Sequence, residues 1–203
     1  MNCIWNTERK NRPTGEGKET EAMKITVFGA GTWGTALGRV LSLAGHEVCI
    51  WSRFQEETDS LSEKRRHPNL PGAAIPDSVL FTSDIQKAAC RADFAFVVVP
   101  SVFIRETARD LAPYIKDEAI VVSAAKGIES SSLMTLTEVI SDELAAIGRQ
   151  NPVVALSGPT HAEEVAKDLP TLIVSACEDL DAAGKVQQLF DGTCIRPYVT
   201  PDV

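Results

Sequence analysis

A glycine-rich turn set between a strand and a helix constrains this chain more than any other feature. Residues 25–28, Ile-Thr-Val-Phe, form a short apolar run that fits a buried strand. Gly29-Ala30-Gly31-Thr32-Trp33-Gly34 follows directly and reads G-x-G-x-x-G. Behind it Ala36, Leu37, Val40, Leu41 and Ala44 recur at roughly helical spacing, Gly45 stops the pattern, and Glu47-Val48-Cys49-Ile50-Trp51 supplies a second strand. Each glycine then has a task. Gly29 permits the tight turn, Gly31 lets backbone approach a pyrophosphate, and Gly34 lets the helix lie close on the strand. The helix N-terminus adds free N–H groups and the positive end of its dipole. Alone the motif is a weak signal; inside one βαβ unit it points to a dinucleotide, with a ligand-free glycine turn as the alternative.

The rest of the chain repeats this alternation. Helices are expected over 56–66, from a Ser83/Gln86 capping box to about Cys90, and over 102–111, 132–147, 161–167 and 180–190. Strands are expected over 79–81, 94–99, 119–123, 153–156, 171–176 and 194–199, with 94–99 apolar throughout, as a strand covered on both faces would be. The order implies an α/β fold: a doubly wound, mostly parallel, Rossmann-type sheet in a single domain. Ligands of such sheets bind beyond the carboxyl ends of the strands. Gly29–Gly34, Arg53, Pro100-Ser101, Lys126-Gly127 and 157–160 all fall at such ends.

Each of these positions admits two readings. Where an NAD enzyme usually carries Asp or Glu, this chain has Ser52-Arg53-Phe54. Arg53 could pair with the 2′-phosphate of NADP and stack on adenine, or be a solvated charge. Lys126 could hold a substrate phosphate or hydroxyl, or be a plain loop lysine. Gly158-Pro159-Thr160 opens a helix and could cradle an anion or carbonyl, or simply cap. His161 has no identifiable partner carboxylate and reads as structural. No nucleophilic triad and no metal-ligand spacing is recognisable.

Composition excludes several classes. At 203 residues, 44% hydrophobic and 24% charged, the chain suits one substantial globular domain. A net charge of −8 argues against a general nucleic-acid or anionic-membrane surface, though not against a local basic pocket. The five cysteines (Cys3, Cys49, Cys90, Cys177, Cys194) are scattered, which argues against zinc and against a disulfide framework. No run is long enough for membrane insertion and nothing resembles a signal peptide, so a cytoplasmic location is expected. Residues 1–22 are polar, charged and aperiodic and are expected to be a disordered tail.

Taken together, GAGTWGTAL, NLPGAAIP, VVVPSVFIR, AAKGIE and LSGPTHAEEVAKDLPT, in that order, closely resemble the N-terminal half of bacterial NAD(P)-dependent glycerol-3-phosphate dehydrogenase. The resemblance covers 23–203. It implies hydride transfer between NAD or NADP and the dihydroxyacetone phosphate/glycerol 3-phosphate pair, feeding glycerophospholipid synthesis, in a possible homodimer. It further implies cofactor contacts at Gly29, Gly31, Thr32, Trp33, Gly34, Arg53, Lys126 and Ala162, with Phe103 lying against the cofactor, and substrate contacts at Lys126, Gly158 and Thr160. His161 and Gly38 depart from the family's usual phenylalanine and alanine. The family's general acid/base lysine belongs to a helical domain expected beyond Val203. The resemblance thus implies a dinucleotide-binding domain over 23–196, a linker beginning at 197–203, and a chain inactive by itself. A non-catalytic nucleotide-binding module or sensor is the alternative, and another phosphorylated hydroxy-acid dehydrogenase a third.

Overall fold

A computed structural model describes residues 4–5, 11–13 and 19–203. Two short strands, β1 (Asn11–Pro13) and β2 (Glu19–Glu21), pair antiparallel. The main sheet then begins with β3 (Lys24–Phe28), followed by α1 (Thr32–Leu43), β4 (Glu47–Trp51), α2 (Gln55–Lys64), β5 (Leu80–Thr82), α3 (Ile85–Ala89) and β6 (Phe94–Val97). A 3-10 turn at Ser101–Phe103 leads into α4 (Ile104–Leu111), β7 (Ile120–Ser123), α5 (Leu136–Ala145) and β8 (Val153–Ser157). The chain continues through α6 (Ala162–Val165), β9 (Thr171–Ala176), α7 (Leu180–Gln188) and β10 (Ile195–Thr200).

The eight strands lie in the order β10-β9-β8-β7-β6-β3-β4-β5. All neighbours are parallel except β8 and β9. Counted from β3, the six parallel strands follow 3-2-1-4-5-6, the doubly wound order of dinucleotide-binding folds. The apolar runs are continuous because both faces are covered. Ile25 and Val27 of β3, with Phe96 of β6 and Val122 of β7, pack under α1 and α7. Phe28, Ala95, Val97 and Val121 face the other way, under α3, α4 and α5. Among the described residues no helix is long and apolar enough to cross a membrane.

Several expectations are corrected. Of the tail expected at 1–22, residues 1–3, 6–10 and 14–18 lie outside the described residues. The described remainder departs from a featureless tail: it contains β1 and β2, and Trp5 is buried with its Nε1 donating to the Ala88 carbonyl at 3.3 Å. An indole carries enough apolar area to dock a polar segment. Asp84, not Ser83, caps α3, accepting from the Lys87 amide at 3.0 Å, while the Ser83 hydroxyl turns to Gln55. α5 starts at Leu136 rather than 132, because Leu133 adopts a left-handed backbone (φ 61°) and Thr135 with Glu138 forms the capping box. β10 runs through Thr200, so a boundary at 196 falls inside a strand. Cys49, Cys177 and Cys194 are free thiols, but Cys90 is disulfide-bonded. Spacing along a chain carries no trace of the spatial approach a disulfide needs.

Candidate functional site

β3, β4, β6, β7 and β8 run in one direction, so their carboxyl ends open on one rim. The connections diverge between β3 and β6, which leaves a crevice there, and the glycine turn lies at its floor.

The three glycines of the turn are held by different constraints. Gly29 has φ 128° and passes so close to β6 that a Cβ would meet the Val98 carbonyl oxygen at 2.7 Å. A Cβ on Gly34 would lie 2.0 Å from the Gly29 oxygen. Gly34 is dictated by the close approach of α1 to the end of β3, and Gly29 by the chain leaving β6. Gly31 differs: it is the N-cap of α1 with φ −64°, and a Cβ there meets no protein atom within 4 Å. The fold has no need of glycine at this position, but the space in front of it is a cavity. No side chain caps α1 and no acidic residue stands in its first turn. Its positive end and N–H groups therefore face that space without compensation, a fit to a pyrophosphate.

The cavity, about 390 Å³, is lined by Gly29, Gly31, Ser52, Arg53, Glu57 and Phe103 among others. Ser52 is buried and its hydroxyl donates to the Glu57 carboxylate. Arg53 is engaged by α4, its Nη1 donating to Glu106 at 2.8 Å and its Nη2 to Asp110 at 3.3 Å. The Glu106 bond, above all, pushes the guanidinium pKa further up.

A second cavity of about 400 Å³ opens beyond β7 and β8, lined by Ser123, Lys126, Gly127, Thr137, Ser157 and Gly158 among others. Lys126 is exposed in it. Gly127 takes φ 116° against Ser101, a conformation that admits little but glycine. Gly158 crosses β9 so closely that a Cβ would lie 3.1 Å from the Leu172 oxygen. Trp33 reaches toward the second cavity: its Nε1 donates to the Ala124 carbonyl at 3.1 Å, and it lines a small crevice with Lys126, Gly158 and Thr160. Thr32 receives a bond from Asn69 Nδ2 at 3.2 Å, which ties the 67–75 loop to the glycine turn.

Of the positions expected from sequence, Gly29, Gly31, Arg53 and Phe103 surround one cavity, and Trp33, Lys126, Gly158 and Thr160 surround a separate small crevice. Ala162 opens α6 and packs on the core. The helix expected at 161–167 shrinks to four residues capped by an exposed His161. So short a helix has little dipole to offer, which weakens the anion-cradle reading of 158–160. Sequence reasoning missed Glu57, Asn69, Glu106 and Asp110. The three acids lie on helices whose polarity reads as ordinary solvated surface, and only the spatial crossing of α4 over the end of β4 gives two of them a partner.

The family described as NAD-dependent glycerol-3-phosphate dehydrogenase N-terminus matches residues 24–183. A glycerol-3-phosphate dehydrogenase [NAD(P)+] 2 of Lactobacillus delbrueckii subsp. bulgaricus is 55% identical over 181 residues, covering 88% of this chain and 54% of that protein. The corresponding protein of Agathobacter rectalis is 42% identical over 181 residues, covering 89% of this chain and 53% of its own length. The chain thus spans about half the length of the curated relatives it matches. Among solved structures, glycerol-3-phosphate dehydrogenase from Coxiella burnetii superposes with a TM-score of 0.82 at 28% identity, over 90% of this chain and 55% of that one. A UDP-glucose dehydrogenase from Pyrobaculum islandicum reaches a TM-score of 0.73 at 18% identity, over 88% of this chain and 46% of that one, and speaks to the fold alone.

Proposed function

This chain belongs to the NAD-dependent glycerol-3-phosphate dehydrogenase family, whose N-terminal region it matches, and from that premise we propose that it holds NAD(P) for hydride exchange between glycerol 3-phosphate and dihydroxyacetone phosphate. The bound nicotinamide supplies or accepts the hydride. Around it the protein's own groups bind and orient. The free N–H groups at the start of α1 and the backbone at Gly31 hold the pyrophosphate, and Ser52, Arg53 and Phe103 enclose the adenosine end. Trp33, fixed by its bond to Ala124, forms the wall between cofactor and substrate regions. Lys126 binds the substrate's phosphate or hydroxyl as a point charge, with Gly158 and Thr160 beside it. We place the reaction in the cytoplasm.

One observation carries this reading. Gly31 is a glycine that the fold itself does not require, at an uncapped helix start facing a cavity. A calorimetric titration of NADH into the chain and into Gly31→Val tests it. The valine side chain projects where the pyrophosphate would lie, so affinity is expected to fall about tenfold or more, the loss of roughly one charge-assisted bond. Equal affinity of parent and variant would remove the reading.

A further inference from the structure

We propose that Glu106 and Asp110 set the choice between NADH and NADPH by competing with the cofactor's 2′-phosphate for Arg53, an inference that rests on the cofactor reading above. By itself, an arginine following the second strand of such a fold marks a site for the 2′-phosphate. Here the arginine is already engaged. Arg53 follows β4, reaches α4, and divides its two terminal nitrogens between two carboxylates, at 2.8 Å to Glu106 and 3.3 Å to Asp110. Residues 106 and 110 stand one turn apart on α4 and so present both acids on one face. The planar fork that would take two phosphate oxygens is split between them.

The side chains of Arg53, Glu106 and Asp110 are 45%, 49% and 44% exposed, so each pair is weak and a phosphate can displace it. Displacement does not remove the carboxylates. They remain beside the guanidinium and repel the incoming dianion. Glu57, held by Ser52 on the wall of the same cavity, adds a third negative charge. A 2′-phosphate at Arg53 therefore meets one cation and three carboxylates, whereas a 2′-hydroxyl meets hydrogen-bond acceptors that it can donate to. The arginine is retained while its preference for phosphate is largely cancelled.

The test is calorimetric binding of NADH and NADPH to the chain, to Glu106→Gln/Asp110→Asn, to Arg53→Ala and to the triple variant. The double variant is expected to shift the ratio of the two dissociation constants toward NADPH by about tenfold, from two weak pairs and the repulsion removed together. Measured against Arg53→Ala, the triple variant should show a clearly smaller shift, since it has no arginine to release and only the repulsion to lose. Both amide changes are isosteric and half-exposed. Should circular dichroism show the double variant unfolded, Glu106→Gln alone reads the same ratio with a smaller shift. A ratio unmoved by substitution, in a parent that binds both cofactors, overturns this inference and leaves the cofactor reading standing. A parent that binds neither overturns both.

Discussion

Within the glycine turn, two residues serve the fold and one serves the cavity, and stability and binding should separate accordingly. Alanine at 34 would place its methyl 2.0 Å from the Gly29 carbonyl oxygen, a backbone atom that cannot rotate aside. Gly34→Ala is expected to destabilise the chain by about 1–3 kcal/mol or more, the usual scale of overpacking. Each kcal/mol corresponds to about 2–4 °C of melting temperature at this size. Gly31→Val, with extended backbone and open space around it, should melt near the parent and fail only in cofactor titration. Thermal denaturation of the two variants side by side checks the split; a comparable loss of stability in both would mean that Gly31 too is a packing residue. Gly38 is a milder case, since an added Cβ meets side-chain rather than backbone atoms, Ile50 Cδ1 at 2.8 Å and Cγ1 at 3.1 Å. A rotamer change there costs about 0.5–1.5 kcal/mol, against about 0.8–1 kcal/mol gained in helix propensity.

The loop between α2 and β5 shows what an element without periodicity can still encode. Arg65 ends α2 in a left-handed conformation, and its Nη1 donates to the Val79 carbonyl at 2.7 Å, which closes the loop on itself. Within it His67 is buried and its Nδ1 accepts from the Asn69 amide at 3.1 Å, while Asn69 reaches Thr32. Burial pushes the imidazole pKa below its ordinary value, outweighing the opposing pull of Glu57. The folded state therefore favours neutral His67, and the unfolded chain takes up the proton first as pH falls. Stability should be lost from about pH 6.5 downward, through the depressed folded value. His67→Asn offers an acceptor that does not titrate, so its melting temperature should fall less between pH 7 and 5 than the parent's; identical slopes would assign the acid response to other groups. At the start of α5, removing the Thr135 cap by Thr135→Ala is expected to cost about 0.5–2 kcal/mol in denaturant unfolding. These elements also mark what the sequence makes legible. The strand over 171–176 is read to the residue, because a bounded apolar run has few other uses. The start of α5 is not, because helical spacing alone cannot register that Leu133 has left the helical region of backbone space. Nor can it foresee which of two adjacent capping residues, Ser83 or Asp84, wins.

At the scale of the whole molecule, the parallel half of the sheet is legible because each strand–helix alternation has one allowed handedness, and five strand ends then share a rim. The β8–β9 reversal is not, since Leu172-Ile173-Val174 reads as one apolar run, whereas in the fold Leu172 and Val174 are exposed on one face. The cavity residues supplied by crossings between distant elements, Arg53 with Glu106 above all, were beyond a one-dimensional reading for the same reason. What the rim holds together determines how binding and turnover relate. A ligand bound to the folded state alone stabilises it by about 2.7 kcal/mol at one hundred times its dissociation constant. NADH at that level should therefore raise the melting temperature by about 5–10 °C. Glycerol 3-phosphate added with saturating NAD should raise it further in the parent and not in Lys126→Ala if, as we propose, Lys126, which lines the second cavity, holds the substrate. Turnover is a separate matter. Reduction of a carbonyl needs a proton donor within hydrogen-bond reach of the oxygen, a contribution of about 10²–10⁴ in rate. On this reading Lys126 holds the substrate and does not donate. The 203-residue chain should thus bind cofactor and substrate yet oxidise NADH with dihydroxyacetone phosphate hardly above background, as followed by nicotinamide absorbance. Substantial turnover that disappears in Lys126→Ala would reverse the assignment and make Lys126 the proton donor itself.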